Sequence, residues 1–148
     1  MIYKIACVGK IKEKYYTELI EKSVKSVKGR DSLVIAEVPD EKIPQKAGDK
    51  INAAILDKEG EALVKVIDRD SYVIALCIEG KKTDTDELRR LISRAEDRGY
   101  RKITFVIGGS LGLSPKVTEL ADYKLSISDM TFPHQLMRAV IAETISNL

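Results

Sequence analysis

Apolar residues along this chain follow two rhythms. Short, nearly unbroken runs occur at 2–9 ("IYKIACVG"), 32–38 ("SLVIAEV"), 71–78 ("SYVIALCI") and 102–109 ("KITFVIGG"). Their length and β-branched content predict strands, and the absence of a polar alternate position predicts cover on both faces. Between them the apolar positions spread to helical spacing. Tyr16, Leu19, Ile20, Val24 and Val27 predict a helix over about 13–28, and Ile51, Ile55, Leu63, Val64 and Ile67 a second over 49–67. Leu88, Leu91, Ile92 and Ala95 predict a third, opened by a Thr or Asp cap with acids in its first turn and stopped by Gly99. "SPKVTELA" predicts a short helix with Pro115 in its first turn, and "YKLSIS" a fifth short strand. Leu136, Met137, Val140, Ile141 and Ile145 mark a last helix from about Phe132 to the end.

Strand and helix thus alternate five times. That order predicts an α/β fold: one domain over 1–148, a mostly parallel sheet, right-handed crossovers and helices on both faces. No repeat, low-complexity tract or linker interrupts it. A chain of 148 residues is long enough to bury roughly two thirds of its unfolded surface. With 5% aromatic residues and no tryptophan, its core has to be built from Val, Ile, Leu and Ala.

Charge adds little by itself, because the net value is only +2. Its distribution is uneven: residues 1–30 carry eight Lys/Arg against three Glu, and residues 103–148 carry three against four acids. A basic first segment can meet phosphate, with Lys10, Lys12 and Lys14 as candidates, although a solvated lysine-rich helix face has the same composition. Cys7 and Cys77 sit in apolar runs without a second ligand at metal spacing, and are expected to be small buried hydrophobes in a reducing compartment. No run approaches the ~18 apolar residues of a membrane span, and no signal-peptide pattern opens the chain. A soluble, cytoplasmic protein without membrane or metal partners is expected.

In open α/β sheets, ligands bind beyond the carboxyl ends of the strands. Three such ends stand out: "LCIEGK" at 76–81, "VIGGSLGLS" at 106–114 and "LSISDMTFPH" at 125–134. "GGSLG" allows close backbone approach, but no Gly-Lys-Ser/Thr follows, and the dinucleotide-binding frame is absent. Met130 and Phe132 are unusual in a short connector, and could line an apolar pocket or meet a partner. The broad apolar face of the last helix equally suits the sheet or an interface. His134 is the chain's only histidine and follows a proline suited to a helix start. No triad spacing or second histidine accompanies it, so its local sequence favours a structural residue over a base.

Three stretches, "FVIGGSLGLSP", "ADYKLSISDMTFPHQLMR" and "LDKEGEALV", together resemble the family of ribosomal RNA large subunit methyltransferase H, of the SPOUT superfamily of α/β-knot methyltransferases. The resemblance spans essentially the whole chain, from "ACVGKIKEKYY" and "EVPDEK" onward. It implies S-adenosylmethionine-dependent methylation of N3 of a pseudouridine in 23S rRNA, on assembled ribosomes, by a homodimer with a C-terminal trefoil knot. Carried over by position, the cofactor contacts fall on Leu76, Gly108, Gly109, Ile127, Ser128, Asp129, Met130, Thr131 and Phe132, with Gly80 supporting close approach. His134 and Arg138, one helical turn apart, become the candidate catalytic pair. In that reading Arg138 meets RNA phosphate or the target base, and His134 shapes the pocket. The family continues past the last helix into a basic tail near a Tyr-His pair, whereas this sequence ends "ISNL". That departure implies a second reading, a dimeric knot that binds the cofactor with little or no turnover.

Overall fold

The computed structural model describes residues 1–148. Ten elements alternate along it: β1 (Ile2–Val8), α1 (Lys14–Ser26), β2 (Ser32–Val38), α2 (Asp49–Val66), β3 (Tyr72–Lys82), α3 (Thr85–Asp97), β4 (Lys102–Ile107), α4 (Pro115–Leu120), β5 (Tyr123–Ser126) and α5 (His134–Ser146). All five strands are parallel, in the order β2-β1-β4-β3-β5. Every strand therefore ends at the same edge of the sheet, and all five β-to-α loops gather there.

The pleat divides the strand residues between two cores. Tyr3, Ile5 and Cys7 of β1, Tyr72 and Ile74 of β3, and Ile103, Phe105 and Ile107 of β4 face α1, α3 and α5. The alternate positions Ala6, Val8, Val73 and Val106 face α2 and α4 together with Val38, Leu63 and Val117. This two-sided cover is why the strands lack polar alternation. Helix α3 follows its pattern closely: Asp84 accepts the Glu87 N–H at 2.8 Å as N-cap, and Leu88, Leu91, Ile92 and Ala95 are all buried. Gly99, at φ +95°, ends it.

The faces of three other helices differ from expectation. Leu19 is 51% exposed and Ile51 47% exposed, and Val64 also points outward. In α2 the inward line runs instead through Glu59, Gly60 and Leu63, because Gly60 lies so close to α4 that a Cβ there would be 2.5 Å from the Ser114 Cβ. In α5 the buried positions are Arg138, Ala139, Ile141, Ala142 and Ile145, while Leu136, Met137 and Val140 are half-buried. Cys7 is buried as expected, but Cys77 is half-buried.

Strand β3 holds the main irregularity. Leu125 of β5 is the register partner of both Leu76 and Lys81, so residues 77–80 leave the sheet and return to the same point. Gly80 makes the return possible: a Cβ there would lie 2.7 Å from the Leu125 carbonyl carbon and 2.8 Å from its nitrogen.

Candidate functional site

The excursion of β3, the glycine turn after β4 and the loop after β5 enclose one cavity at the carboxyl edge of the sheet. Its volume is ≈ 560 Å³, within the ~300–1,000 Å³ usual for small-molecule sites. Leu76, Cys77 and Ile78 form one wall, Gly108 to Ser110 with Gly112 a second, and Ile127, Ser128, Met130, Thr131 and Phe132 a third. His134 and Met137 close it from α5.

Local sequence explains each wall. Gly112, at φ +83°, closes a tight turn in which its N–H donates to the Gly109 carbonyl at 3.0 Å. The turn folds back on Gly108, where any Cβ would collide with the Gly112 carbonyl oxygen. Beyond β5, the Ser126 hydroxyl donates to the Ser128 carbonyl at 3.0 Å, and the Ser128 hydroxyl accepts the Met130 N–H at 3.0 Å. These bonds set the loop in place of strand pairing. Asp129 lies outside the cavity, exposed and paired with Lys82. Of the expected cofactor residues, the structure brings Leu76, Gly108, Gly109, Ile127, Ser128, Met130, Thr131 and Phe132 to the cavity, and leaves Asp129 on its outer rim.

His134 and Arg138 part company. His134 opens α5 at the cavity, and its Nδ1 is buried without a hydrogen-bond partner. Burial and the nearby Arg138 guanidinium hold its pKa below the ordinary 6.5, with Asp40 pulling weakly the other way. Arg138, 1% exposed, turns inward: it donates to the Glu37 carboxylate at 2.9 Å and to the Val8 and Gly9 carbonyls at 3.1 and 3.0 Å. In this arrangement Arg138 does not reach outward to RNA phosphate, because the side chain is buried, with its two terminal nitrogens engaged and its Nε buried without a partner.

A depressed histidine pKa has a defined consequence for stability. Above about pH 6.5 both folded and unfolded chains carry neutral imidazole, and His134 adds no pH dependence. Below it the unfolded chain takes up the proton first, so stability falls as pH drops toward the folded pKa. Urea midpoints measured between pH 7.5 and 5.5 should fall more for the wild type than for His134→Gln; parallel profiles would refute the assignment.

Sequence reasoning missed Glu59. It is buried on α2, its carboxylate accepts the Glu41 N–H at 3.3 Å, and burial raises its pKa above the ordinary 4.5. It lies beneath the glycine turn, 3.6 Å from where a Gly109 Cβ would stand. Its neighbour Gly60 was the available signal, since a glycine inside a helix marks close approach. Ile78 lies in the strand end 76–81 picked out from the sequence, but it was not named there as a contact, and the structure adds it to the cavity wall.

No helix is long and apolar enough to cross a membrane. The cavity suits a partly apolar ligand approached closely by backbone, because Gly108 in its wall stands where a Cβ would meet main chain. Comparison with known proteins narrows this chemistry. Residues 1–146 match the family model described as "Predicted SPOUT methyltransferase". The chain is similar to ribosomal RNA large subunit methyltransferase H of Streptococcus thermophilus strain LMD-9, 49% identical over 146 residues that cover 98% of this chain and 91% of that protein. The protein of the same name from strain CNRZ 1066 is 48% identical over the same shares of each chain. With a cavity at three strand ends of a parallel α/β sheet and a match along almost its whole length, the chain belongs to the SPOUT methyltransferase family, in the group of ribosomal RNA large subunit methyltransferase H.

Proposed function

We propose that this protein methylates 23S rRNA at N3 of a pseudouridine, using S-adenosylmethionine, in the cytoplasm and on the assembled ribosome, as a homodimer. The observation that carries the reading is the cavity itself, since two of its three walls come from the stretches 105–115 and 121–138 that carry the family resemblance. The name shared by the relatives supports ribosomal RNA as substrate. The β3 excursion and the loop after β5 are the segments we assign to the knot. For the dimer, α1 and α5 pack side by side and carry the exposed Tyr15 and Leu19 and the half-buried Leu136 and Val140, apolar residues that a second copy would cover.

When bound, the cofactor supplies an electrophilic methyl group on a sulfonium. The chain has to hold the N3 nitrogen in line behind that methyl group, so that an N–C bond forms as the C–S bond breaks and the imide proton departs. Such positioning supplies much of the rate. Leu76, Ile127, Met130 and Phe132 give the apolar walls for this, while Gly108 and Gly109 bring main chain close. Asp129, on the rim and paired with Lys82, would order the loop from outside. A neutral His134 bounds the cavity without repelling a cationic ligand; an imidazolium there would oppose it. His134 is thus assigned to shaping the pocket, and Arg138 to positioning, by tying the start of α5 to the β1 end through the Val8 and Gly9 carbonyls.

Titration calorimetry with S-adenosylmethionine, followed by transfer of labelled methyl groups to ribosomes, tests the reading. Saturable binding and incorporation at one pseudouridine are expected. Binding without incorporation would instead favour a knot that holds the cofactor without turnover, a reading to which the inward engagement of Arg138 lends weight. Absence of binding by folded protein would overturn both. Replacement of His134 by Ala should leave measurable transfer; complete loss with cofactor affinity and dimer intact would make it a catalytic base.

A further inference from the structure

Many cations of this chain are neutralised by a neighbour, and the unpaired ones include a group gathered at one edge of the sheet. On α3, Arg89, Arg90 and Arg94 are each paired with a carboxylate of the same helix, and Lys58, Lys82, Lys102 and Lys116 have acidic partners of their own. At the carboxyl edge of the sheet, Lys10 and Lys12 follow β1, and Lys42, Lys46 and Lys50 lie between β2 and the first turn of α2. All five are exposed, and none belongs to an ion pair. Lys14, which the sequence grouped with Lys10 and Lys12, instead faces Glu18 on α1 at 3.8 Å.

Against these five lysines the same segments carry Glu41 and the exposed, unpaired Glu13, Asp40 and Asp49, so lysines stay in excess along the edge. Asp40 lies against the β1 end, with its Cγ 3.5 Å from where a Gly9 Cβ would be, and Glu41 faces Lys58 at 3.8 Å. A further feature concerns the backbone. The Ala47 N–H donates to the Pro44 carbonyl at 3.2 Å, closing a turn whose third residue, Lys46, has φ +61°. That corner suits glycine, yet it carries a lysine held out at the apex, and strained backbone of this kind is found more often where function requires it. Ile43, 40% exposed, adds an apolar surface beside the charges.

Topology places these groups relative to the cavity. In the order β2-β1-β4-β3-β5, the cavity sits over β4, β3 and β5, and the lysines over β2 and β1. With neighbouring strands ~4.8 Å apart, the β2 loop stands roughly 10–14 Å from the cavity walls, the width of a few nucleotides. We propose that this edge is a track for the sugar–phosphate backbone of RNA, with Lys10, Lys12, Lys42, Lys46 and Lys50 contacting phosphates flanking the nucleotide at the cavity. The inference rests on the RNA-methylating reading above, and names the surface by which that substrate is held.

The test compares two triple variants, each removing three positive charges. Lys42→Gln/Lys46→Gln/Lys50→Gln lies on the track; Lys22→Gln/Lys25→Gln/Lys28→Gln lies toward the far end of α1. Ribosome binding is measured from low to high salt, with calorimetry of S-adenosylmethionine as the check on the cavity. The track variant should flatten the slope of log affinity against log salt by about two, from roughly 0.7 per phosphate contact, and weaken binding at least about tenfold at low salt. Its cofactor affinity should be unchanged, and the α1 variant should retain the wild-type slope. An unchanged slope in the track variant, or equal flattening in both, overturns the track while leaving the methyltransferase reading intact. Failure of the wild type itself to bind or methylate ribosomes overturns that reading, and the track with it.

Discussion

A valine at position 108 should eliminate saturable binding of S-adenosylmethionine, at least a hundredfold loss or about 2.7 kcal/mol, and should also lower the melting temperature. The first Cβ atom already stands on the Gly112 carbonyl oxygen, with the carbonyl carbon at 2.5 Å. Both atoms are main chain in a turn closed by the Gly112 N–H, so no side chain can swing aside. Relief requires the 109–112 turn to open, and that turn is a cavity wall. Overpacking of this kind costs about 1–3 kcal/mol, equivalent to a fall of roughly 2–12 °C for a chain of this size. Calorimetry beside thermal melts measures both effects, and Ser110→Ala, exposed in the same turn, is the control. Wild-type affinity in a folded Gly108→Val protein would place the cofactor elsewhere.

Replacing Arg138 by Met should be the most destabilising conservative-volume change on α5, by about 2–4 kcal/mol. The guanidinium is almost fully buried and joins three acceptors that no other residue serves: Glu37 at the end of β2 and the carbonyls of Val8 and Gly9 at the end of β1. Removing it leaves two buried carbonyls unsatisfied, which outweighs the apolar gain from a methionine. Glu37 is 39% exposed and can turn to water, so Glu37→Gln should cost less than half as much. Denaturant midpoints of both single variants and the double variant would measure the coupling. A change below about 0.5 kcal/mol for Arg138→Met would mean that the side chain is not held in this network.

Element type was legible in the sequence because the two-sided sheet makes its strands short and uniformly apolar, and its helices periodic. Helix faces were less so. Ile51 and Val64 fit an apolar stripe by spacing, yet they stand outside because Gly60 and Glu59 decide which side of α2 approaches the sheet. A hydrophobicity pattern cannot register a glycine and a buried carboxylate as an inward face. The site was legible at the level of loops, as glycines and apolar residues gathered at three strand ends. Two parts were not: the excursion of residues 77–80, which continues the strand pattern through a break in pairing, and the inward turn of Arg138. An arginine at the start of a helix beside a cavity looks like a substrate contact until the carbonyls behind it are seen. Its partners lie 101 to 130 residues away in sequence, beyond any local pattern.

The return of β3 to Leu125 has a consequence for how the site can diversify. In a continuous strand, adding or deleting one residue exchanges the two faces for everything beyond it. Here both ends of the departure meet the same residue of β5, so the pairings before Leu76 and after Lys81 are indifferent to what lies between. Residues could be inserted beside Ile78 and Glu79 while Gly80 keeps its place over Leu125. The wall of the cavity can thus lengthen or shorten while the inward alternation of Tyr72, Ile74 and Leu125 is preserved, so that ligand shape and core integrity are free to vary separately.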